Sequence, residues 1–511
     1  MYTPAWTGRI VRKIVRNTTN TTPTLAPVFS SLRLWSLVTR LAILRYFSRT
    51  HEHSNRSPST IKPNICAAIS VHEHLLVEMF NSFWFAALIS KHNNHLLVKA
   101  RVGRLLKLLI RNARLLSSKQ LSSIIVEDER IFEVSPGSSG SADKEIDAGG
   151  SLVLPTFIEP HIHLDKILLA KEFGFSSSIA QARETIKKAK ESFTVSNVKE
   201  RIRSIIPFAL RQGVTIIRSH VDIDSIVELK SLSALQEVQS EYSGIVDIQI
   251  VATPQEGIVA HKGTEELLLK ALDSGAKVIG GLPEAEKSVD DSKTHLDIVF
   301  SIAREKDVDV DVHNDVLPTG KNLEYFLTKV TSNHYEGRAS SAHNIALAHY
   351  PDEDAKRIIE LIKRADVTVI TNPCTMMTSG RQSPPPTPRG ITRVRELLEA
   401  GVNLTYGIDN MVDPYNPFGE FNVFRNGWLL AYGAQLNSQE LFESIPRMVT
   451  MNAARMLRKT EYGIAEGCRA DMNVMNYSTV SDALRFGDTP KYVIKGGRIL
   501  AENQCVSRLN A

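Results

Sequence analysis

The amino-acid sequence predicts an α/β protein whose main body is a parallel (β/α)8 TIM barrel. Eight short apolar runs alternate with helical stretches over about 300 residues. In addition, no glycine-rich phosphate loop follows the first run, which disfavours the alternative of a doubly wound open sheet. The predicted strands are Leu152–Ile158, Thr215–Arg218, Asp247–Ala252, Lys277–Ile279, Val308–Val312, Arg338–Ala342, Val367–Thr371 and Asn403–Tyr406.

The stretches between these strands place apolar residues at the 3.6-residue period of an amphipathic helix. Helices are predicted over 195–212, 264–274, 291–306, 352–364 and 391–400. A helix or long loop after each strand returns the chain to the start of the next parallel strand, as a barrel requires.

Strand-like segments on both sides of the barrel region predict a small flanking β-sandwich built from both ends of that region. A loop rich in Gly and Ser separates the first of these segments from the barrel. The predicted organisation is an irregular N-terminal extension (1–104), the first part of the β domain (105–150), the barrel (151–457) and the second part of the β domain (458–511).

The N-terminal extension differs in charge from the rest of the chain. Residues 1–100 contain 12 Lys and Arg against three Glu and no Asp, so the net charge of +5 divides into +9 here and −4 elsewhere. A basic segment rich in Ser and Thr is typical of an organelle transit sequence. We therefore expect a cytoplasmic protein, or a mitochondrial one if residues 1–100 act as a transit segment.

The composition excludes several classes of partner. The slightly acidic main body predicts no nucleic-acid partner, and the lack of an apolar run of about 18 residues predicts no membrane span. The four cysteines lie far apart in the sequence, as free thiols of a reducing compartment do. The expected partner is a small-molecule substrate, and homo-oligomer formation is left open.

Two histidines at the end of the first predicted strand indicate metal chemistry. Residues i and i+2 of a strand point to the same side, so His161 and His163 present two imidazoles together. Two adjacent imidazoles are part of the ligand set that a divalent metal needs.

Further polar residues follow the other predicted strands. The carboxyl ends of all strands of a barrel converge on one mouth, where active sites of this architecture lie. The residues found at these ends are His220, Asp222, Gln255, His313, Asp315, His343, Asp409 and Asn410.

These positions predict a mononuclear metal site. His161, His163 and His313 supply nitrogen ligands and Asp409 a carboxylate, a set that suits Zn²⁺ or Fe²⁺, with Mn²⁺ also compatible. A bound divalent ion lowers the pKa of a coordinated water, and Asp409 accepts the proton. The fourth strand runs into Gly280 and lacks the lysine that bridges two ions in binuclear barrels, so one metal is expected.

From about residue 105 to residue 500 the chain resembles the amidohydrolase superfamily, in the branch of cytosine deaminase and N-isopropylammelide isopropylaminohydrolase. The resemblance depends on eight short motifs in order rather than on any single one. The motifs are PHIHLDK (160–166), RSHVDID (218–224), PQEGI (254–258), DVHND (311–315), SAH (341–343), RGITRV (389–394), DNMVDP (409–414) and YGIAEG (462–467).

The resemblance implies roles for several residues. His161, His163, His313 and Asp409 would bind the metal, and His343 would polarise the attacking water. Gln255 would bind the carbonyl and N–H edge of the substrate ring, with Asn410 as a second substrate-binding residue. Cytosine deaminases carry a glutamate where this chain has Val316; the hypothesis is that Lys166 or Asp315 protonates the leaving nitrogen instead.

The predicted function is a metal-dependent, cytosine deaminase-like amidohydrolase that releases ammonia or an amine from an amino-substituted N-heterocycle. Two alternatives stay open from the sequence alone. One is hydrolysis of a cyclic amide, and the other is a catalytically silent barrel that acts as a binding protein.

Overall fold

A computed structural model describes residues 107–137, 141–376 and 389–504. The predicted N-terminal extension (1–104) lies outside the described residues. Within them, no helix combines the length and apolar character needed to cross a bilayer.

The centre of the fold is a sheet of eight parallel strands in sequential order, β6 to β13. Its last strand returns to its first through a parallel bridge between Ile162 and Asp409, so the predicted eight-stranded parallel barrel is confirmed. The strands are β6 (Phe157–Ile162), β7 (Val214–Asp222), β8 (Asp247–Thr253), β9 (Val278–Gly281), β10 (Asp309–Asn314), β11 (Ala339–His343), β12 (Thr368–Thr371) and β13 (Leu404–Tyr406).

The prediction that Leu152–Ile158 form one strand is wrong. Residues Val153–Pro155 form a separate strand, β5, that pairs with the C-terminal part of the chain. At Thr156 the chain changes sheets: its N–H donates to Asp471 O, and the next residue, Phe157, bonds to Gly213 in the barrel. A continuous apolar run cannot show this change, because both sheets bury these residues.

Amphipathic helices cover the barrel. In the helix Asp352–Arg364, three acidic residues occupy the first turn and Ala355, Ile358 and Ile362 are buried, which suits the helix dipole and the 3.6-residue period. The helices are α1 (Ala170–Phe173), α2 (Ile179–Lys190), α3 (Val195–Arg211), α4 (Lys230–Glu241), α5 (Thr264–Asp273), α6 (Val289–Lys306), α7 (Leu323–Ser332), α8 (Asp352–Arg364), α9 (Val394–Glu399), α10 (Val423–Gly433), α11 (Gln439–Met448), α12 (Met451–Met456) and α13 (Val480–Phe486).

The predicted helices agree with these bounds to within two residues, except the last. The helix predicted over 391–400 begins only at Val394. Arg393 precedes it in a non-helical conformation (φ −78°, ψ 66°), and its guanidinium donates to the carbonyls of Leu347 and Tyr350. These tertiary hydrogen bonds delay the start of the helix.

Two four-stranded sheets flank the barrel, in the orders β3-β2-β1-β4 and β16-β15-β14-β5. Apolar residues of both sheets, among them Ile110, Ile124, Met472 and Ile494, share one core. This confirms the predicted β-sandwich from both ends of the barrel region; the domain boundaries stay a prediction. The strands are β1 (Leu108–Arg114), β2 (Leu121–Glu127), β3 (Arg130–Ser135), β4 (Lys144–Asp147), β5 (Val153–Pro155), β14 (Met472–Val474), β15 (Tyr492–Lys495) and β16 (Arg498–Glu502).

Candidate active site

Five histidines meet at the carboxyl-terminal mouth of the barrel. His161 lies in β6, His163 directly follows it, and His220, His313 and His343 lie in β7, β10 and β11. All five are buried. The ring centroids of His161 and His220 are 4.2 Å apart, and those of His161 and His313 are 4.7 Å apart. The predicted convergence of strand ends therefore takes place.

Asp409 completes this cluster. Its Oδ1 lies 3.2 Å from His161 Nε2 and 3.3 Å from His163 Nε2. The Nε2 atoms of His163 and His313 are 3.1 Å apart. In addition, His161, His313, His343 and Asp409 each offer a ligand atom within 4.8 Å of the others. The structure brings the four predicted ligands together and places His343 beside them.

These distances fit a shared metal ion. Donor atoms about 2.1 Å from one ion lie about 3.0–3.4 Å from each other, as the measured pairs do. His161 Nε2, which faces Asp409 Oδ1, is buried without a hydrogen-bond partner among the described residues. Buried, unpaired imidazoles next to a carboxylate are costly unless a further group satisfies them.

The protonation states also fit a metal. Burial lowers the pKa of His163 and of His343 to about 4, and burial and the neighbouring histidines lower the pKa of His313 well below its ordinary value. Burial opposes the charge of Asp409, but His343, His161 and His163 together hold its pKa well below the usual range. Neutral imidazoles and an ionised carboxylate are the forms that bind a metal.

A buried glutamate fixes the junction between β6 and β13. The Glu159 carboxylate accepts hydrogen bonds from the backbone N–H groups of His161 (3.0 Å) and Ile408 (3.1 Å). A Cβ on Gly407 would lie 2.6 Å from Glu159 Oε1 and 2.8 Å from His161 O. Only glycine at position 407 leaves room for this contact. Gly407 therefore allows Glu159 to hold His161 next to Asp409. Sequence reasoning missed Glu159.

A pocket lies over the cluster, with about 490 Å³ of empty space that includes the part open to solvent. It contains most of the predicted site residues; His161 lies behind it, and Val316 forms part of its apolar wall. The lining residues are His163, Lys166, Ile179, Arg183, Gln255, Leu282, His313, Val316, His343, Thr375, Asp409, Asn410 and Tyr415.

Asp315, proposed from the sequence as an acid for the leaving group, does not line this pocket. Its carboxylate accepts hydrogen bonds from the backbone N–H groups of Asn322 (2.8 Å) and Leu323 (3.3 Å) at the start of α7. Gly320 packs on its other side. These contacts make Asp315 a cap for a helix and leave Lys166 as the better-placed candidate.

Lys166 belongs to a buried network of charges. Its Nζ donates to Asp222 Oδ1 (2.6 Å) and to Gln255 Oε1 (3.3 Å). Lys190 Nζ bonds the other oxygen of Asp222 (3.1 Å). Burial disfavours both ammonium charges, but the carboxylates around them outweigh it and raise the pKa of each lysine. Lys166 is therefore a charged donor in the pocket.

Asn410 has one end of its amide fixed. Its Nδ2 donates to Asp413 Oδ2 (2.7 Å), and its backbone carbonyl accepts from Asn416 Nδ2 (2.9 Å). Its position next to Asp409 at the pocket wall suits the predicted contact with the substrate.

Arg183 and Tyr415 are pocket residues that sequence reasoning missed. Arg183 lies on α2, and Tyr415 follows the DNMVDP motif. A weak signal exists for α2, since Ile179, Arg183, Ile186 and Lys190 share one helical face. That this face packs over the barrel mouth depends on tertiary structure and is not encoded locally.

Comparison with known proteins gives the family. The profile of the amidohydrolase family matches residues 144–501. The N-isopropylammelide isopropyl amidohydrolase of Pseudomonas sp. (strain ADP) is 31% identical over 410 residues, covering 78% of this chain and 98% of that protein. The pterin deaminase of Rhizobium rhizogenes is 24% identical, covering 74% of this chain and 87% of that protein.

Among solved structures, 5-methylcytosine deaminase from Klebsiella pneumoniae, liganded with 5-fluorocytosine, superposes with a TM-score of 0.75 at 29% identity. The match covers 79% of this chain and 99% of that one. The chain therefore belongs to the amidohydrolase family, as the resemblance predicted, and is a hydrolase that acts on carbon–nitrogen bonds.

Proposed function

We propose that the protein removes ammonia or an amine by hydrolysis from an amino-substituted N-heterocycle, using one divalent metal ion. The ligands would be His161, His163, His313 and Asp409. The observation that carries the proposal is the chain of three close pairs, His161–Asp409, His163–Asp409 and His163–His313, at 3.1–3.3 Å beside a pocket that also contains Gln255. The names of the similar proteins, which act on ammelide, pterin and cytosine rings, support it.

When bound, a divalent ion of this type activates water at neutral pH and polarises the reacting carbon centre. Asp409 takes one proton from the attacking water, whose oxygen adds to the amino-bearing ring carbon. That proton passes to the leaving nitrogen as the exocyclic C–N bond breaks, and the second water proton moves from the added oxygen to a ring nitrogen, which gives the oxo product. His343, which lines the pocket near Asp409, is placed to hydrogen-bond the oxygen as it adds.

The structure offers an explanation for the apolar residue Val316 in place of a glutamate. Lys166 is a charged donor that reaches the pocket, and it is held 2.6 Å from Asp222. We assign to it the delivery of a hydrogen bond to the leaving nitrogen or to the ring. Gln255 and Asn410 orient the ring.

The test is an ammonia- and amine-release screen over aminopyrimidines, aminotriazines, pterins and cyclic ureas with the chain loaded with Zn²⁺ or Fe²⁺. We expect release from at least one amino-substituted ring. Asp409→Asn should abolish release, while Asp352→Asn, a change at the exposed start of α8, should leave it unchanged. A ring-opened carboxylate without ammonia would instead indicate a cyclic amide hydrolase, and a chain that binds no stoichiometric metal would contradict the proposal.

A further inference from the structure

One wall of the pocket contains an amide whose orientation is fixed. Gln255 Oε1 accepts a hydrogen bond from Lys166 Nζ at 3.3 Å. A lysine ammonium can only donate, so the oxygen of the amide must face it and the NH₂ group must face away. Gln255 Nε2 has no hydrogen-bond partner among the residues that the structure describes, and Gln255 lines the pocket. Gln255 therefore offers a ligand donors only.

The Lys166 ammonium cannot easily move away from Gln255 Oε1. Its ammonium also bonds Asp222 Oδ1 at 2.6 Å, and both side chains are fully buried. A buried ion pair that loses a partner leaves an uncompensated charge, which is strongly unfavourable. The orientation of the Gln255 amide is thus a property of the folded chain before any ligand binds.

A second donor reaches the same pocket from α2. Ile179 and Arg183, one helical turn apart, both line the pocket. Ser178 caps the start of this helix by accepting from Gln181 N. At its other end Lys190 bonds Asp224 at 2.6 Å and Glu256 at 2.7 Å. The cap fixes where the helix begins and the Lys190 ion pairs fix its last turn to the barrel, so Arg183 enters the pocket from a defined position.

Arg183 is half-buried and makes no hydrogen bond or ion pair with any of the described residues. The carboxylates beneath α2 are already engaged by Lys166 and Lys190. Arg183 is close enough to Glu284 for its charge to lower the pKa of that carboxyl. The two side chains do not, however, come within the 4.0 Å of an ion pair. A partly desolvated guanidinium without a counter-charge, beside an amide that only donates, favours an anionic ligand.

We infer that the substrate ring carries an anionic oxygen, as a carboxylate or as the oxo group of an ionised ring amide, and that Arg183 and Gln255 bind it. The inference deepens the proposed function and rests on it for the identity of the pocket as the substrate site. Arg183 is then the specificity-determining residue that separates anionic from neutral heterocycles of the same size.

Binding of non-reacting rings tests this without turnover. The probes are orotate, which carries a carboxylate, barbiturate, which is an ionised ring amide, and uracil, which is neutral. The metal-loaded chain should bind at least one of the two anions about tenfold more tightly than uracil, as a charge-assisted hydrogen bond implies. The stronger anion identifies the source of the charge, and its advantage should fall as salt rises.

Arg183→Gln should remove the preference by weakening the anions far more than uracil, while Arg183→Lys should retain part of the preference. The matched control is Lys188→Gln, which removes the same charge from an exposed position on α2. Gln255→Glu should weaken the anions more than uracil, because a carboxylate offers no donor.

Equal binding of all three probes, or a preference that survives Arg183→Gln, would overturn the inference; the latter is expected if Arg183 pairs with Glu284 in solution. The outcome is separate from that of the ammonia screen. A chain that prefers anions but releases no ammonia would contradict the proposed function, and one that releases ammonia without this preference would contradict only the inference.

Discussion

At the scale of single residues, the sequence offered two candidate donors to the leaving nitrogen, and the structure separates them. Lys166 lines the pocket, whereas Asp315 bonds the first turn of α7. Lys166→Met should lower ammonia release by about 100-fold, in the range expected for the loss of a positioned donor that stabilises the transition state. Asp315→Asn should leave kcat unchanged and lower only the free energy of unfolding.

Both variants are measured as steady-state rates at saturating metal, with stability followed by urea denaturation. A large fall in kcat for Asp315→Asn in a stably folded chain would restore it as the acid. Unchanged rates in both variants would remove the hypothesis for either residue.

Two glutamates two residues apart have opposite pKa shifts. Burial, followed by the charge of Asp315, raises the pKa of Glu284 to about 7. Burial opposes the charge of Glu286, but His295 and the N–H groups of Ile258 and Ala260 lower its pKa. The raised pKa of Glu284 contributes stability that is fully present below about pH 4.5, its unfolded pKa, and is lost as the pH rises to about 7. The lowered pKa of Glu286 contributes stability that is lost as the solution becomes acid.

Glu284→Gln should therefore raise the free energy of unfolding above pH 7 and remove its fall between about pH 4.5 and 7. Glu286→Gln should lower the free energy of unfolding at neutral pH, because a neutral amide cannot replace the charge that His295 and the backbone donors stabilise. Urea titrations across this pH range measure both. The same sign for the two variants at pH 8 would contradict the assignment.

At the scale of elements, the contact between β6 and β13 depends on one glycine. A methyl group on Gly407 would lie 2.6 Å from Glu159 Oε1 and 2.9 Å from His161 Cβ. We expect Gly407→Ala to separate His161 from Asp409 and to weaken metal binding by tenfold or more, about 1.4 kcal/mol. Competition with a chromophoric chelator measures the affinity.

The control is Gly401→Ala, in the turn before β13. Its Cβ would meet nothing within 4 Å, but its φ of +74° is unfavourable for alanine. That variant should lose about 1 kcal/mol of stability with no change in metal affinity. Equal metal affinities for the two alanine variants would exclude the steric explanation.

The elements also show what sequence can and cannot predict. Periodicity located the helices because their buried stripes are local, as in α8. It could not separate β5 from β6, since both halves of Leu152–Ile158 are buried, against different sheets. The proposed metal ligands follow strands and could be predicted from topology, whereas Arg183 and Tyr415 enter the pocket through packing that no local pattern records.

At the scale of the whole molecule, the proposed ligands come from both sides of the place where the barrel closes. His161 lies on β6, His313 lies on β10 and Asp409 follows β13. An ion that binds only the folded chain stabilises it by about 4 kcal/mol at a thousandfold excess over its Kd. Removing metal with a chelator should therefore lower the Tm by several degrees, with recovery on adding Zn²⁺ or Fe²⁺.

Calorimetry of the chelated and reconstituted chain tests this expectation. Mg²⁺, which prefers oxygen ligands, is the control ion and should not restore the Tm. A Tm that is independent of metal would show that the four side chains do not share an ion.

The bridge between Ile162 and Asp409 has a consequence for how such an enzyme can change over time. The barrel closes at Asp409, the proposed metal ligand. A mutation there that harms the proposed reaction would therefore also weaken the closure of the barrel. Natural variation in substrate preference is then confined to structures laid over the rim, such as α2 with Arg183. New substrate preferences can then arise from changes in α2 while the contact between Ile162 and Asp409 stays unchanged.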